Sequence, residues 1–170
     1  MTARWRLLLN AGLFQLGWFA CVFGASQPWL LLIALACLAA HLRWVAQAAE
    51  ELRALLKVGA CGWVLDSLLM HLGIFDFEQA GGNGWVLPLW LAGLWLLFAS
   101  TLRHSLQWTA RPWWLGSLLA AIGGPLSYLG GAKLAGVGLP LGVWPSLLLL
   151  AAIWAILLPL AHRLIAPRSV

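Results

Sequence analysis

Residues 62–73 read GWVLDSLLMHLG. The segment is apolar enough to lie in hydrocarbon, yet Asp66 stands near its middle and His71 follows close behind. Extended to 54–74, it reaches the ~20 residues that a helix needs to cross ~30 Å of bilayer core. Five further apolar stretches, 5–24, 28–46, 86–107, 112–131 and 142–165, repeat the pattern. The fold class is therefore all-α: a polytopic membrane protein whose six transmembrane helices form a single bundle, with residues 1–170 as one domain.

Composition leads to the same class. The chain has 170 residues, of which 63% are hydrophobic and only 9% charged, and its mean hydropathy is +0.91. So few charged side chains cannot coat the surface of a soluble core of this size. The net charge of +5 comes from Lys and Arg that stand singly between apolar runs, a distribution that excludes a nucleic-acid patch. Cys21, Cys37 and Cys61 fall inside apolar runs, and CxxC and HExxH spacings are missing. No disulfide framework, metal or cofactor is expected.

Nine basic residues, Arg4, Arg6, Arg43, Arg53, Lys57, Arg103, Arg111, Arg163 and Arg168, lie at one set of alternate span ends, and Lys133 alone lies at the other. The positive-inside rule then predicts an N-in, C-in topology. Asp76 and Glu78, in the loop FDFEQAGGNG (75–84), would face outward, and loops on that side look too short to close over a ligand. Arg4 and Arg6 ahead of an apolar run also resemble a signal peptide, but residues 7–24 exceed the ~7–15 of a signal core. We expect the segment to be retained as the first span.

Helical rotation of ~100° per residue sorts the polar residues onto faces. Gly59, Gly62, Asp66, Met70 and Gly73 share one stripe of the third span, and small-residue stripes are where membrane helices approach closely. Asp66 should point into the bundle, with His71 off the stripe. On the fourth span, taken as one helix, Gly93, Leu97, Ser100, Thr101 and His104 share a side. On the fifth, Gly116, Ala120, Gly123, Ser127 and Gly130 form one stripe, with Ser117, Ala121, Gly124 and Tyr128 beside it. Gly123-Gly124-Pro125 removes a ladder bond and should kink that helix.

Depth follows from ~1.5 Å of rise per residue. Gln15 and Asp66 fall at the bilayer centre and are expected partners; Asn10 and Thr101 lie ~7 Å inward and Tyr128 ~10 Å outward. A central aspartate costs ~2.5–3.5 kcal/mol to insert. Two readings of Asp66 stand: part of a substrate, proton or ligand site, or a protonated packing element. His41, His104 and His162 all sit at cytoplasmic ends, where interfacial anchoring accounts for them, and only His104 is kept as a candidate. Of the thirteen tryptophans, Trp18, Trp63, Trp90, Trp95 and Trp154 fall nearest the hydrocarbon, placed to line a cavity for an apolar ligand, while the rest fit interfacial belts.

NAGLFQLGWFACVFG (10–24), DSLL (66–69), LPLWLAGLWLLFASTLRHSLQW (87–108) and GGPLSYLGG (123–131) resemble the signature segments of an uncharacterised family of small bacterial inner-membrane proteins, domain-of-unknown-function family 2878. The resemblance runs from Asn10 to the end of the fifth span and implies a bacterial inner-membrane location. It carries no established activity. Some members are labelled permeases, and genes of the family lie near others resembling cyclopropane-fatty-acid synthases, which implies membrane lipid and enzymes of that type as partners. The segments coincide with the polar stripes at Asn10, Gln15, Asp66, Ser67, Thr101, His104, Ser105, Ser127 and Tyr128.

Three functions remain open at this point. The leading one is binding or processing of a lipid or fatty-acid derivative at an interior polar site around Asp66. A small permease or transporter substrate-binding subunit is the second, and an intramembrane enzyme using Asp66 and His104 as acid and base, with Tyr128 as donor, the third. The small-residue stripes also permit a homo-oligomer.

Overall fold

A computed structural model describes residues 2–46, 48–83 and 85–166. Gln47, Gly84 and Arg168, which entered the loop and orientation readings, lie outside the described residues. Among the described residues the chain forms six helices and no strand: α1 (Ala3–Gly24), α2 (Leu31–Ala40), α3 (Ala48–His71), α4 (Leu89–Ala99), α5 (Trp113–Ala135) and α6 (Val143–Ile165). A 3₁₀ turn (Pro28–Leu30) leads into α2, and a π-helical turn (His41–Val45) continues it. The segments Arg4–Gly24, Pro28–Val45, Trp113–Ala135 and Val143–Ile165 are long and apolar enough to cross a membrane. Their exposed sides carry bulky aliphatics such as Leu32, Leu35, Leu148 and Ile156, as lipid-facing surfaces do. This is a membrane protein.

The fourth predicted span needs correction. Helix α4 has 11 residues, about 16 Å at ~1.5 Å per residue, and the chain beyond it runs through turns to a 3₁₀ segment, Gln107–Ala110. The cause is local. Ser100 Oγ donates to the Leu97 carbonyl at 2.7 Å and Thr101 Oγ1 to the Phe98 carbonyl at 2.6 Å, so two adjacent hydroxyls take carbonyls of the last turn in competition with the backbone ladder. The face drawn through Ser100, Thr101 and His104 therefore does not exist as a helical face. Irregular backbone within a bundle is tolerated where protein groups satisfy it, and Asn10 supplies those groups, as shown below.

The glycine stripes do what close packing requires. A methyl group on Gly62 would overlap the indole of Trp95, and one on Gly124 would overlap the indole of Trp154. Those two indoles lie parallel, with ring centroids 5.7 Å apart. Each glycine thus makes room on one helix for an aromatic from another, and α3 seats against α4 while α5 seats against α6.

A second correction concerns the loop between α3 and α4. Phe75, Phe77, Ala80 and Leu87 are buried, because the alternation Phe-Asp-Phe turns two phenyl rings inward and the intervening carboxylate out. The backbone of Asp76 pairs with that of Gly138 in both directions, at 3.0 and 2.7 Å, which ties this loop to the one between α5 and α6. Trp90 Nε1 donates to the Ala80 carbonyl at 2.8 Å and pins it further. The loop is long enough to roof the bundle after all.

Candidate functional site

Asp66 is fully buried and its two oxygens face different helices. Trp95 Nε1 of α4 donates to Oδ2 at 2.7 Å, and the Tyr128 hydroxyl of α5 donates to Oδ1 at 2.7 Å. Bonds of this kind to a carboxylate are among the stronger ones a protein makes. Phe75 stacks on Tyr128 with centroids 5.4 Å apart, and Phe98 meets both Trp95 and Trp154 edge-on. Together with Phe14 and Trp18 of α1 and Phe77 of the loop, these rings line a partly open chamber of about 90 Å³. Asp66 is not in its wall. The carboxylate stands behind Trp95 and Tyr128 and positions them.

A wider cavity of about 620 Å³ adjoins the chamber and shares Phe14, Trp18, Phe98, Ser127 and Trp154 with it. It runs along α1 and α5 past Gln15, Gly123 and Leu126. The expected Gln15–Asp66 partnership is thus corrected: Asp66 bonds Trp95 and Tyr128, while Gln15 is exposed on this groove. Depth alone misled, since Gln15 stands five residues from the buried Asn10, about 140° around α1. Of the tryptophans expected to border a cavity, Trp18, Trp90, Trp95 and Trp154 line the chamber and Trp63 does not.

At the other end, Asn10 of α1 closes the broken end of α4. Its Nδ2 donates to the Ser100 carbonyl at 3.0 Å, and its Oδ1 accepts from Ser105 N at 3.1 Å and Ser105 Oγ at 2.6 Å. A backbone acceptor on one side and a backbone donor on the other fix the amide's orientation. The remaining Nδ2 hydrogen therefore points at His41 Nδ1, 3.2 Å away, and that ring nitrogen is the acceptor. His41 must then carry its proton on Nε2, which donates to Glu51 Oε1 at 3.1 Å. His104 Nε2 lies 3.3 Å from the same oxygen, buried and without a hydrogen bond. Burial alone would raise the carboxyl of Glu51, which lies in the first turn of α3, but the His104 and His41 imidazoles beside it prevail and hold it below the usual carboxylate range.

His41, Glu51 and His104 place ligand-type atoms within 4.8 Å of one another, so the set must be tested against a metal. It does not fit one. A cation on His41 Nε2 would require the proton on Nδ1, aimed at the amide hydrogen of Asn10, whereas metal-bound histidines donate that second N–H to an acceptor. The cluster is a hydrogen-bonded clamp joining α1, α2, α3 and the turn after α4.

Residues 7–160 match the family described as Protein of unknown function (DUF2878). The chain belongs to that family. Both clusters of this DUF2878 member fall within the matched residues, from Asn10 to Trp154. No curated protein and no solved structure matches the chain.

The nine candidate residues thus divide. Tyr128 and Ser127 line the chamber with Asp66 behind Tyr128, Asn10, Ser105 and His104 belong to the clamp, and Gln15 to the groove. Thr101 ends α4, and Ser67 Oγ donates to its own helix at the Trp63 carbonyl, 2.7 Å away, so it joins neither site. Sequence reasoning missed Glu51 and set His41 aside as an anchor. The legible signal was an acidic pair, Glu50-Glu51, at a span end otherwise crowded with Arg53, Lys57 and Arg103.

Proposed function

We propose that this protein binds a lipid or fatty-acid derivative within the bilayer and admits it sideways into the aromatic chamber behind which Asp66 sits. The observation that carries the reading is the chamber itself, walled by aromatic rings, roofed by the α3–α4 loop and continuous in its lining with the lateral groove. Both α1 and α5, which border that groove, are long and apolar enough to cross a membrane, so the groove opens toward hydrocarbon. A dry cavity of ~150 Å³ accommodates benzene. The chamber's about 90 Å³ therefore takes a chain end, and the groove takes the remainder.

On this reading the protein sits in a bacterial inner membrane with both termini cytoplasmic. Its partners are membrane lipid and lipid-modifying enzymes of the cyclopropane-fatty-acid-synthase type, and a homo-oligomer is compatible with it. A fluorescent-protein fusion at the C-terminus should be bright, and a dark fusion would reverse the orientation.

The test of the ligand is native mass spectrometry of gently purified protein beside a Gly124→Ala variant, in which the added methyl drives Trp154 toward the chamber. A defined lipid mass on the wild type that the variant loses is the expected result; bare wild-type protein would sink the reading. The acid–base enzyme has one observation in its favour, the short Tyr128–Asp66 bond, but His104 clusters with Glu51 and His41 instead.

A further inference from the structure

The chamber's walls hold few polar hydrogens, and most are already used. The Tyr128 hydroxyl and Trp95 Nε1 donate to Asp66, Trp90 Nε1 donates to the Ala80 carbonyl, and Trp18 Nε1 donates to Ser127 Oγ at 3.1 Å. Among the described residues, two donors in the wall have no acceptor within the protein: Trp154 Nε1 and the hydroxyl hydrogen of Ser127. The only buried polar side-chain atom without a partner among those residues is His104 Nε2, so Trp154 Nε1 keeps an accessible face. Both residues line the chamber and the groove, which puts the two residues that carry the free donors at the boundary between them.

We infer that the ligand carries an uncharged hydrogen-bond acceptor, a carbonyl on an apolar body, held at that boundary by Ser127 and Trp154. The inference rests on the binding reading above and names its ligand class. An ammonium would find no free anion here, because both Asp66 oxygens are engaged behind the wall. A carboxylate would find no cation among the lining residues, and burying an unpaired charge is costly. A plain alkane would leave the two donors unpaired, whereas a carbonyl oxygen satisfies one or both.

The point of entry follows from the same residues. The Trp18 indole lies over Gly130 and Gly131, where added methyl groups would still sit 3.8 Å from the ring or from Val22. Among the described residues, the Trp18–Ser127 bond is the polar tie between α1 and α5. The Trp18 indole thus stands between the chamber and the groove, both of which it lines.

The experiment is competition for radiolabelled methyl palmitate on the full chain in phosphatidylcholine nanodiscs. Competitors are unlabelled methyl palmitate, decyl-1,4-benzoquinone, hexadecane and hexadecylamine. The unlabelled ester should compete, and whether the quinone competes more or less strongly than the ester identifies the source of the carbonyl, a quinone ring or an acyl ester. Hexadecane and hexadecylamine should be about tenfold weaker or worse. Ser127→Ala and Trp154→Phe should each weaken the ester about three- to tenfold and leave hexadecane competition unchanged. Equal competition by hexadecane or hexadecylamine, or an unaltered ester affinity in both variants, overturns the carbonyl inference while leaving the binding reading intact. Absence of any saturable methyl palmitate or hexadecane binding to the wild type overturns the binding reading itself.

Discussion

Replacing Asn10 by alanine should be among the most damaging changes outside the aromatic core. The wild-type amide makes four hydrogen bonds, to the Ser100 carbonyl, His41 Nδ1, Ser105 N and Ser105 Oγ. Ser100 and His41 are buried, with 2% and 1% exposure, so water cannot replace the lost partner at either. Each such orphaned group costs ~1–3 kcal/mol. Ser105 is only half-buried and should recover most of its loss through water, leaving ~0.5–1 kcal/mol. The sum is ~2.5–7 kcal/mol, against ~0.5–1.5 kcal/mol for Ser105→Ala, which removes one hydroxyl. Unfolding in mixed micelles with increasing SDS, followed by helical circular dichroism, measures both. A loss below ~1 kcal/mol for Asn10→Ala, or equal losses for the two variants, would refute the idea that this amide closes the broken end of α4.

Further expectations test other parts of the arrangement. Asn10→Asp puts an oxygen where His41 Nδ1 now meets a donor, so His41 should move its proton to Nδ1 and free Nε2 for a cation. The variant should therefore gain zinc binding at least about tenfold over the wild type by equilibrium dialysis, and equal affinity would contradict the tautomer assignment. Gly62→Ala should cost ~1–3 kcal/mol by overpacking against Trp95, together with loss of retained lipid; an unchanged melting temperature with lipid still bound would show that the close approach is not needed. Asp66→Asn should be milder than Asp66→Leu, because the Tyr128 hydroxyl can rotate to accept from the new amide. Leucine instead strands two donors at ~1–3 kcal/mol each, and equal thermal stability of the two variants would argue against Asp66 as the anchor of Trp95 and Tyr128.

Much was legible from the chain alone, and particular residues show where reading stopped. The membrane class needed only composition and run lengths, because hydrocarbon selects for both. That Asp66 points inward needed only helical periodicity, because Gly59, Gly62 and Met70 lie on one continuous helix with it. The fourth span failed on continuity: Ser100 and Thr101 look like helix-tolerated hydroxyls until their side chains capture carbonyls of the last turn. Gln15 failed on azimuth, since depth is additive along a helix but the rotation of one helix against another is not.

Class, the number of helices and the inward face of α3 were thus determined by the sequence, through properties that each segment carries by itself. Who meets Asp66, which donors remain free in the chamber, and the gathering of Asn10, His41, Glu51 and His104 from four segments were decided only by tertiary structure. The physical reason is that a hydrogen bond between helices depends on their mutual rotation and on where each one breaks. Those quantities are set by packing across the whole bundle, such as the seating of Trp95 on Gly62 and of Trp154 on Gly124.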